Sequence, residues 1–299
     1  MPSSALLLHV DEDQAMAERL ARAAGLDCAL IQRHRFPDGE LKLRLPASLP
    51  GQVVVLRSLD QPNEKLVELL LAARSARTLG ATHLTLVAPY LAYMRQDIAF
   101  NPGEVVSQQV VGRFLGELFD AVITVDPHLH RIERLEQAIP VAQAVVLSGA
   151  PLLAELLARE LEHPVLIGPD AESAQWIYQA ARVHGFDHGV CHKDRHGDRD
   201  VTIRLPDLPV QGRAVVVLDD VASSGRTLAG ATRLLLAAGA ASVDVAVTHA
   251  LFAGDALDVI RAAGVRHVWS TDCVHHASNA VSVAPALAHA LRSVLSSIA

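Results

Sequence analysis

The chain has 299 residues, of which 51% are hydrophobic and 20% charged, so it can bury a large core and is not a disordered chain. Its net charge of −7 argues against a surface built mainly for nucleic acid. Three widely spaced cysteines, Cys28, Cys191 and Cys273, give no zinc spacing and indicate a reducing compartment. Because no apolar run approaches membrane-spanning length and the first one is typical of a strand, we expect a cytoplasmic protein without membrane contact.

The first half of the chain predicts alternating helices and strands. In chain order they are a strand near residues 6–8, a helix over 14–24, a strand over 51–56, a helix over 64–79, a strand over 83–87, a helix over 107–118 and a strand over 121–125. Such alternation is typical of mostly parallel sheets with right-handed crossovers. Ligands of these sheets bind beyond the carboxyl ends of the strands, so the polar residues after each apolar run are the candidate site residues.

The second half predicts the same alternation. Its helices cover 150–161, 171–184 and 228–238, and its strands cover 164–167, 214–218, 242–248 and 268–271. A strand, a helix and a Gly-Ala pair occur in the same order after Gly51 and again after Gly212, which indicates a duplication. The alternative is that all βαβ units look somewhat alike. We therefore expect an α/β fold with two domains of one type, residues 1–147 and 148–299.

The strand predicted over 214–218 ends in two adjacent carboxylates, Asp219 and Asp220, and a loop leads from them into the helix over 228–238. Gly225 lets the backbone approach a ligand closely, and the N–H groups at a helix N-terminus suit a phosphate. Two carboxylates repel a phosphate but suit a vicinal diol or a magnesium ion, so the pattern favours a sugar phosphate. The alternative is an ordinary strand–turn–helix with a Ser/Thr cap. The hydroxyls of the loop belong to Ser223, Ser224 and Thr227.

Three polar segments of the first half are further candidates, each with a structural alternative. Residues 36–40 contain Pro-Asp-Gly, which is typical of a hairpin turn. Residues 95–97, Arg-Gln-Asp, can hold phosphates and read a polar group, or form a surface loop with an Arg–Asp ion pair. Asp126 and His128 follow the strand over 121–125 and, in extended geometry, point to one side, which suits magnesium or polyphosphate. A histidine at a strand end is nevertheless more often structural.

The second half adds two candidates. Asp170 follows the strand over 164–167 and suits a metal or ribose contact, or it is a helix N-terminal carboxylate. Residues 191–200 contain Lys193 and Arg195 within the most polar decapeptide of the chain. This decapeptide is either a solvated hairpin tip or a flap that brings two cations over phosphates during a reaction.

Six segments, taken in chain order, resemble motifs of the ribose-phosphate pyrophosphokinase family, also called phosphoribosyl pyrophosphate synthetases. They are Phe36–Glu40, Pro89–Asp97, Asp126–His128, Pro169–Asp170, Lys193–Arg195 and Asp219–Thr227. The last resembles the ribose-5-phosphate-binding motif of the type I phosphoribosyltransferase fold. The resemblance implies two tandem domains of that fold, an N-terminal one with ATP contacts and a C-terminal one with the ribose 5-phosphate site and a flexible loop.

The resemblance also implies roles for single residues. It implies ATP binding by Phe36, Asp38, Glu40, Arg95, Gln96, Asp97 and His128, and ribose 5-phosphate binding by Asp219, Asp220, Ser223, Ser224, Gly225, Arg226 and Thr227. It implies catalysis by Lys193 and Arg195 and magnesium binding by Asp126, His128 and Asp170. Three residues depart from the usual family pattern, namely Pro127, Ser223 and Arg226.

The activity that the resemblance implies is transfer of the β,γ-diphosphoryl group of ATP to the C1 hydroxyl of ribose 5-phosphate. The expected cofactor is Mg²⁺, and the expected assembly is a homo-oligomer in which the Phe36–Glu40 segment contributes to a neighbouring subunit's ATP site. Two alternatives stay open. One is a phosphoribosyltransferase, against which the duplicated domain argues, and the other is a non-catalytic regulatory homologue, against which the intact Lys193/Arg195 pair argues.

Overall fold

The computed structural model describes residues 5–129, 131–195 and 201–298, with the side chains of residues 193–195 and 201–202 outside the described part. The chain forms two compact units, one of Met1–Leu147 together with Val283–Ala299 and the other of Ser148–Ser282. Each unit is built on a mostly parallel sheet flanked by helices, which confirms the predicted α/β fold class. Within the described ranges, no helix is both long and apolar enough to cross a membrane.

The first unit contains a six-stranded parallel sheet and a separate two-stranded hairpin. Its strands are β1 (Ala5–His9), β2 (Asp27–Leu30), β3 (Gln32–Arg35), β4 (Leu41–Arg44), β5 (Gln52–Leu56), β6 (His83–Ala88), β7 (Ala121–Val125) and β8 (Gln143–Leu147). Its first three helices are α1 (Gln14–Ala24), α2 (Pro62–Thr78) and α3 (Ser107–Leu118). The central strands β5, β6 and β7 are almost fully buried, which explains their unbroken apolar sequences.

The second unit has the same composition of elements. Its strands are β9 (Val165–Gly168), β10 (His188–Val190), β11 (His192–Arg195), β12 (Val201–Arg204), β13 (Ala214–Ala222), β14 (Ser242–Ala250), β15 (Val265–Thr271) and β16 (Asn279–Val281). Its helices are α4 (Ala150–Glu160), α5 (Ala174–His184), α6 (Arg226–Ala237) and α7 (Ala256–Ala262). Strands β11 and β12 form a separate antiparallel hairpin.

The strand orders of the two sheets are equivalent. The first sheet runs β2-β1-β5-β6-β7-β8 and the second β10-β9-β13-β14-β15-β16, with parallel pairing throughout both. The hairpin comes after the second strand of each unit, and the buried central strand β5 or β13 follows the hairpin. The carboxyl end of β5 in the first unit therefore corresponds to that of β13 in the second, as the duplication predicts.

The last helix corrects the predicted C-terminal domain of 148–299. Helix α8 (Ala284–Ser296) belongs to the first unit, where it packs on α1, β7 and β8. Its apolar face is buried, and the Arg292 guanidinium donates to the carbonyl of Ala23 at 2.6 Å. Chain order alone does not decide which sheet a terminal amphipathic helix covers, because any uncovered apolar face can accept it.

Candidate active site

Strand β13 carries the carboxylate pair and is longer than the sequence predicts. It pairs with β14 as far as Ala222, so Asp219 and Asp220 lie within the strand rather than after it. Successive side chains of a strand point to opposite faces, and accordingly Asp220 is buried while Asp219 is half-buried. The strand thus holds both carboxylates on a rigid, hydrogen-bonded backbone.

The loop after β13 requires a glycine at its turn into α6. Gly225 has φ 71°, in the left-handed region, and a Cβ there would lie 2.8 Å from the carbonyl oxygen of Ala256 and 2.9 Å from Ile260. Neighbouring backbone braces the loop, since the Ala253 N–H donates to the Ser223 carbonyl at 3.0 Å. Gly225 is the N-cap residue of α6 and has no side chain with which to cap the helix. The N–H groups of the first turn are therefore directed at the loop, together with the positive end of the helix dipole.

The residues of the predicted phosphate loop differ in exposure. Ser224 and Arg226 are exposed, Ser223 and Thr227 are half-buried, and Gly225 is buried. Helix α6 begins at Arg226, earlier than the sequence predicts, so Arg226 and Thr227 belong to its first turn. The loop therefore offers hydroxyls, helix N–H groups and one exposed cation close together in sequence and in structure.

A third carboxylate, Asp170, follows β9, the strand that pairs with β13. Its Oδ1 accepts from the Glu172 N–H at 3.1 Å, so it caps a short 3₁₀ helix as the structural alternative predicts. Asp170 also affects the electrostatics of β13. Burial, then the Asp220 carboxylate and then the Asp170 carboxylate raise the pKa of Asp219 well above its usual range.

The carboxylates of Asp170, Asp219 and Asp220 form a region in which negative charges repel one another. Such a region is stabilised by a bound cation or by hydroxyl donors such as those of a sugar, so its donor chemistry fits both Mg²⁺ and a ribose diol. Over the described residues, no group of three or more His, Cys, Asp or Glu is arranged to hold a metal ion together. Mg²⁺ commonly takes only one or two protein carboxylates and completes its shell with water and phosphate oxygens.

The predicted adenine segment is the exposed tip of the β3–β4 hairpin. The Phe36 N–H donates to the Glu40 carbonyl at 2.9 Å, and Gly39 adopts φ 96°. Phe36 keeps 39% of its surface exposed and packs against His34 in a T-shaped arrangement, with ring centroids 4.9 Å apart. Asp38 and Glu40 are exposed beside it. The turn that its sequence predicts is present, and it presents an aromatic ring and two carboxylates to solvent.

The predicted phosphate segment after β6 is partly engaged within the protein. Arg95 is exposed, whereas the Gln96 side chain donates to the Ile98 carbonyl at 2.8 Å. The Asp97 side chain is 2% exposed, and its Oδ1 accepts from Arg131 at 2.7 Å. An Arg–Asp ion pair is therefore present, as the surface-loop alternative predicts, but the partner of Asp97 is Arg131 and not Arg95. An ATP contact by Asp97 remains a prediction that requires this pair to rearrange.

Asp126 and His128 do not have the extended geometry that the sequence predicts. Asp126 is buried and adopts φ 37°, in the left-handed region, and its N–H donates to the Leu147 carbonyl at 2.9 Å. The reason is that the chain turns as soon as β7 ends, so alternation along a strand does not relate the two side chains. His128 is half-buried, and magnesium or ATP binding by this pair stays a prediction.

Lys193 and Arg195 lie in β11 of the second hairpin. Lys193 is opposite Ile203, and Arg195 is opposite Val201, across an antiparallel pair. Their side chains are outside the described part of the structure, so their catalytic roles stay predictions.

A cluster of charged residues at the end of β5 was not predicted. Arg57 is buried and follows the apolar run 53–56 just as Asp219 follows 215–218. Its guanidinium donates to Glu12 at 2.9 Å, Asp13 at 3.0 Å and Glu68 at 2.7 Å. Aligning the two halves residue by residue would have shown that an arginine replaces the first carboxylate.

A cavity of about 480 Å³ lies next to this cluster, between the β1–α1 turn and the β3–β4 hairpin. Asp11, Glu12, Glu68, Arg33 and Arg35 are among the residues that line it. Arg33 is paired with Asp11, Glu12 and Glu68, and Arg35 is paired with Glu64 of α2. The cavity is therefore lined by charges that the protein itself already pairs.

Sequence comparisons assign the family. Residues 5–118 match the family model described as the N-terminal domain of ribose phosphate pyrophosphokinase, and residues 142–268 match that of the phosphoribosyl transferase domain. A ribose-phosphate pyrophosphokinase of Methanopyrus kandleri is 36% identical over 292 residues, covering 97% of this chain and 99% of the relative. One of Methanosarcina acetivorans is 35% identical over 280 residues, covering 93% and 96%.

A structural comparison agrees in fold. The crystal structure of phosphoribosylpyrophosphate synthetase from Mycobacterium smegmatis superposes with a TM-score of 0.83 at 24% identity, covering 98% of this chain and 99% of that one. The resemblance found in the six motifs is thus confirmed by matches over nearly the whole chain. This chain belongs to the ribose-phosphate pyrophosphokinase family of enzymes.

Proposed function

We propose that the protein converts ATP and D-ribose 5-phosphate into 5-phospho-α-D-ribose 1-diphosphate and AMP. One observation carries the proposal beyond the family assignment. The carboxylates of Asp219 and Asp220 lie near the end of the buried strand β13, and both they and Asp170, which follows the neighbouring β9, bear charges of one sign. The phosphate-suited N-terminus of α6 comes shortly after β13. A ribose ring with a 5-phosphate has hydroxyl donors for the first feature and an anion for the second.

In the proposed site, Asp219 and Asp220 accept hydrogen bonds from the vicinal hydroxyls of ribose. The 5-phosphate is bound by the loop of residues 223–227, through its hydroxyls, the N–H groups of α6 and the exposed Arg226 guanidinium. Because β13 and Gly225 fix the carboxylates and the loop on one backbone, the sugar is bound at both ends. This orientation aims its C1 hydroxyl, and positioning of this kind is a main source of rate in phosphoryl transfer.

In the proposed reaction, the C1 hydroxyl oxygen attacks the β-phosphorus of ATP. The bond from that phosphorus to the oxygen of the α-phosphate breaks, the C1 hydroxyl proton passes to solvent, and AMP leaves. Lys193 and Arg195 stabilise the charge on the transferred group. Asp126 and His128 of the first unit, and Asp170 of the second, are our proposed contacts for Mg²⁺, which would neutralise charge on the phosphate oxygens.

The proposed ATP contacts belong to the first unit. The exposed tip with Phe36, Asp38 and Glu40 suits adenine, because an aromatic ring stacks on a base and carboxylates accept from its amino group. Arg95, Gln96 and Asp97 are the proposed phosphate contacts, together with His128. The proposal includes a cytoplasmic homo-oligomer in which this tip completes the ATP site of a neighbouring subunit.

Product analysis tests the proposal. The protein is mixed with ATP, Mg²⁺ and ribose 5-phosphate, and the nucleotides and sugar phosphates are separated by ion-exchange chromatography and identified by ³¹P NMR. We expect AMP and phosphoribosyl diphosphate in equal amounts, formed only when the sugar is present. ADP as the product would indicate an ordinary kinase. Absence of turnover with bound ribose 5-phosphate would favour a regulatory homologue or a phosphoribosyltransferase.

A further inference from the structure

The β3–β4 hairpin depends on side chains for its position. It is a two-stranded ribbon outside the six-stranded sheet of the first unit, and such a ribbon is at best marginally stable alone. Its tip carries Phe36, Asp38 and Glu40, the proposed adenine contacts. Whatever fixes the ribbon on the unit therefore fixes where these three residues stand.

The two faces of β3 have different tasks. Arg33 and Arg35 share one face of the strand, and His34 and Phe36 share the other, because side chains alternate along a strand. On the first face, both arginines form ion pairs with helix α2. On the second, both rings are exposed and contact each other, so this face is presented to solvent. Residues 33–36 therefore alternate between side chains that attach the hairpin to the protein and rings that are exposed to solvent.

Two ion pairs join the anchoring face to α2. The Arg33 Nη1 donates to Glu68 Oε1 at 2.8 Å, and the Arg35 guanidinium donates twice to Glu64, once at 3.1 Å and once at shorter range. Glu64 and Glu68 lie one turn apart on the helix, so the two pairs stack along it. We call the pairs Arg33–Glu68 and Arg35–Glu64 the hairpin ladder.

The inner pair, Arg33–Glu68, is the more buried one, with side chains that are 18% and 6% exposed. The buried Arg57 also donates to Glu68 Oε2, through Nε at 3.0 Å and through Nη2 at 2.7 Å, so Glu68 joins the hairpin to a buried arginine. Ion pairs that are removed from water depend more strongly on both partners than exposed pairs do. The outer pair, Arg35–Glu64, is 50% and 66% exposed and contributes little by itself.

The second unit has no counterpart of the ladder on its helix. Glu64 and Glu68 lie 8 and 12 residues after Leu56, and the positions 8 and 12 residues after Leu218 are Arg226 and Gly230. Helix α6 contains no carboxylate at all. A Cβ at Gly230 would lie 3.1 Å from Ile203 of the second hairpin, so the helix meets that hairpin with a small residue instead of an anchor.

We propose that Arg33 and Glu68 are positioning residues for the nucleotide, because the hairpin ladder holds the β3–β4 ribbon on α2 with the adenine-binding tip already in place. A preformed tip avoids the entropic cost of ordering a loop on binding, and loss of the ladder transfers that cost to ATP. The inference rests on the proposed function, in which this tip contacts adenine. It adds residues that touch neither substrate.

The test compares Arg33→Ala and Arg33→Lys with Arg77→Ala. Arg77 pairs with Asp120 in the same unit, away from the hairpin, and serves as the matched control. For Arg33→Ala we expect the KM for ATP to rise about tenfold, which corresponds to about 1.4 kcal/mol, with the KM for ribose 5-phosphate within about twofold. Arg33→Lys keeps the charge but not the forked geometry and should fall between wild type and Arg33→Ala.

A second readout does not require activity. Hydrogen exchange at the amides of Phe36 and Gly39, which close the turn, should accelerate in Arg33→Ala and stay at the wild-type rate in Arg77→Ala. If Arg33→Ala does not fold, Arg35→Glu and the reversed pair Arg35→Glu with Glu64→Arg replace it. The single variant should accelerate exchange, and the reversed pair should restore it.

The outcomes separate the two proposals. If wild-type protein forms no AMP from ATP and ribose 5-phosphate, the proposed function fails, while the exchange rates still decide whether the ladder holds the hairpin. If the enzyme is active but Arg33→Ala leaves the KM for ATP at the Arg77→Ala value, or raises both KM values equally, the positioning role is overturned. Unchanged exchange at Phe36 and Gly39 overturns it as well.

Discussion

The two units have equivalent sheets but opposite charge arrangements at the end of the equivalent strand. In the first unit Arg57 follows the apolar run of β5 and is paired with Glu12, Asp13 and Glu68. In the second unit Asp219 follows the apolar run of β13, and its neighbours Asp220 and Asp170 repel it. At the end of β5 opposite charges attract one another, whereas on β13 like charges repel.

Equivalent strand ends can therefore serve different purposes. The charges around Arg57 hold the protein together, whereas those around Asp219 are the ones that we propose bind a ligand. A buried ion-pair cluster satisfies its own charges, whereas neighbouring carboxylates that repel one another are stabilised by a bound diol or cation. The same fold therefore does not imply two sites, and function has to be argued from the residues at each strand end. Even the cavity of about 480 Å³ in the first unit is lined by charges that are already paired.

The largest expected effect is on turnover, in the hairpin of the second unit. Lys193→Ala should lower kcat by about 100- to 1,000-fold, the usual cost of removing one group that stabilises transition-state charge. The KM for ribose 5-phosphate should stay within about twofold, because the group acts mainly in the transition state. Steady-state kinetics measure both. Arg159→Ala, an exposed cation on α4, is the control, and a lost affinity with intact turnover would contradict the role.

The next effect is on sugar binding. Asp220→Asn removes a buried carboxylate and should raise the KM for ribose 5-phosphate by about 10- to 100-fold, as expected when a charged hydrogen-bond acceptor of a buried polar ligand is lost. The KM for ATP should change much less. Asp258→Asn on α7 is the matched control at an exposed site. An unchanged KM for the sugar would place its diol elsewhere.

A smaller effect is expected on the stability of the ligand-free protein. The pKa of Asp219 is raised above the ordinary 3.8, so the carboxyl favours protonation in the folded state, and stability is lost as the pH rises from about 3.8 through the raised pKa. Asp219→Asn removes this loss and should raise the Tm at pH 7 by roughly 2–4 °C, the equivalent of about 1 kcal/mol.

Differential scanning calorimetry at pH 7 and pH 4 measures this effect. The gain should shrink at the lower pH, because wild-type Asp219 is then protonated more often. Ribose 5-phosphate with Mg²⁺ should raise the Tm of wild type and not that of Asp219→Asn. A variant that is less stable than wild type at pH 7 would show that the folded protein stabilises the charged form of Asp219.

The smallest effect concerns the first unit. Burial acts to raise the pKa of Glu12, but hydrogen bonds from Arg57 and Arg33 outweigh it and lower the pKa to about 2, from an ordinary 4.5. The stability from this carboxylate is present above about pH 4.5 and is lost as the pH falls toward 2. Because the Glu12 side chain is half-exposed, its contribution is below about 1 kcal/mol.

Urea unfolding at pH 7 and pH 3 measures this contribution. Glu12→Gln should lower the midpoint at pH 7 and lower it less at pH 3, where part of the stability from the wild-type carboxylate is already lost. Glu18→Gln, on the exposed face of α1, should have little effect at either pH. Equal losses at both pH values would mean that Glu12 acts through packing rather than charge.

Much of the fold could be predicted because the hydrophobic periodicity of a helix or strand lies within the sequence of that element. The helices over 14–24 and 107–118 and the strand over 121–125 have the predicted bounds. Strand β13 was predicted too short, because its last residues include two aspartates, which are rare in strands, and only pairing with β14 keeps them extended. Residues 284–296, over which no helix was predicted, were included in the second domain but form helix α8 of the first unit. An amphipathic sequence at the end of a chain does not specify which sheet it covers.

The parts of the site that lie in one continuous stretch of chain could be predicted from the sequence. The parts that bring together residues from distant segments could not. The loop of residues 219–227 is one stretch of chain, so its turn at Gly225 followed from the sequence. The pairing of Arg57 with Glu68 and Glu12, and of Arg131 with Asp97, joins distant segments and needs the folded chain. The strained backbone of Asp126 likewise depends on the turn after β7 and has no local sequence signal.

The most direct test of the comparison is the stoichiometry of ribose 5-phosphate binding, measured by isothermal titration calorimetry in the presence of Mg²⁺. We expect one sugar per chain for wild type, one per chain for Arg33→Ala, and binding about 10- to 100-fold weaker for Asp220→Asn. Two sugars per chain, or binding that keeps the wild-type affinity in Asp220→Asn and disappears in Arg33→Ala, would place a ligand at the first unit and contradict the proposed site at the end of β13.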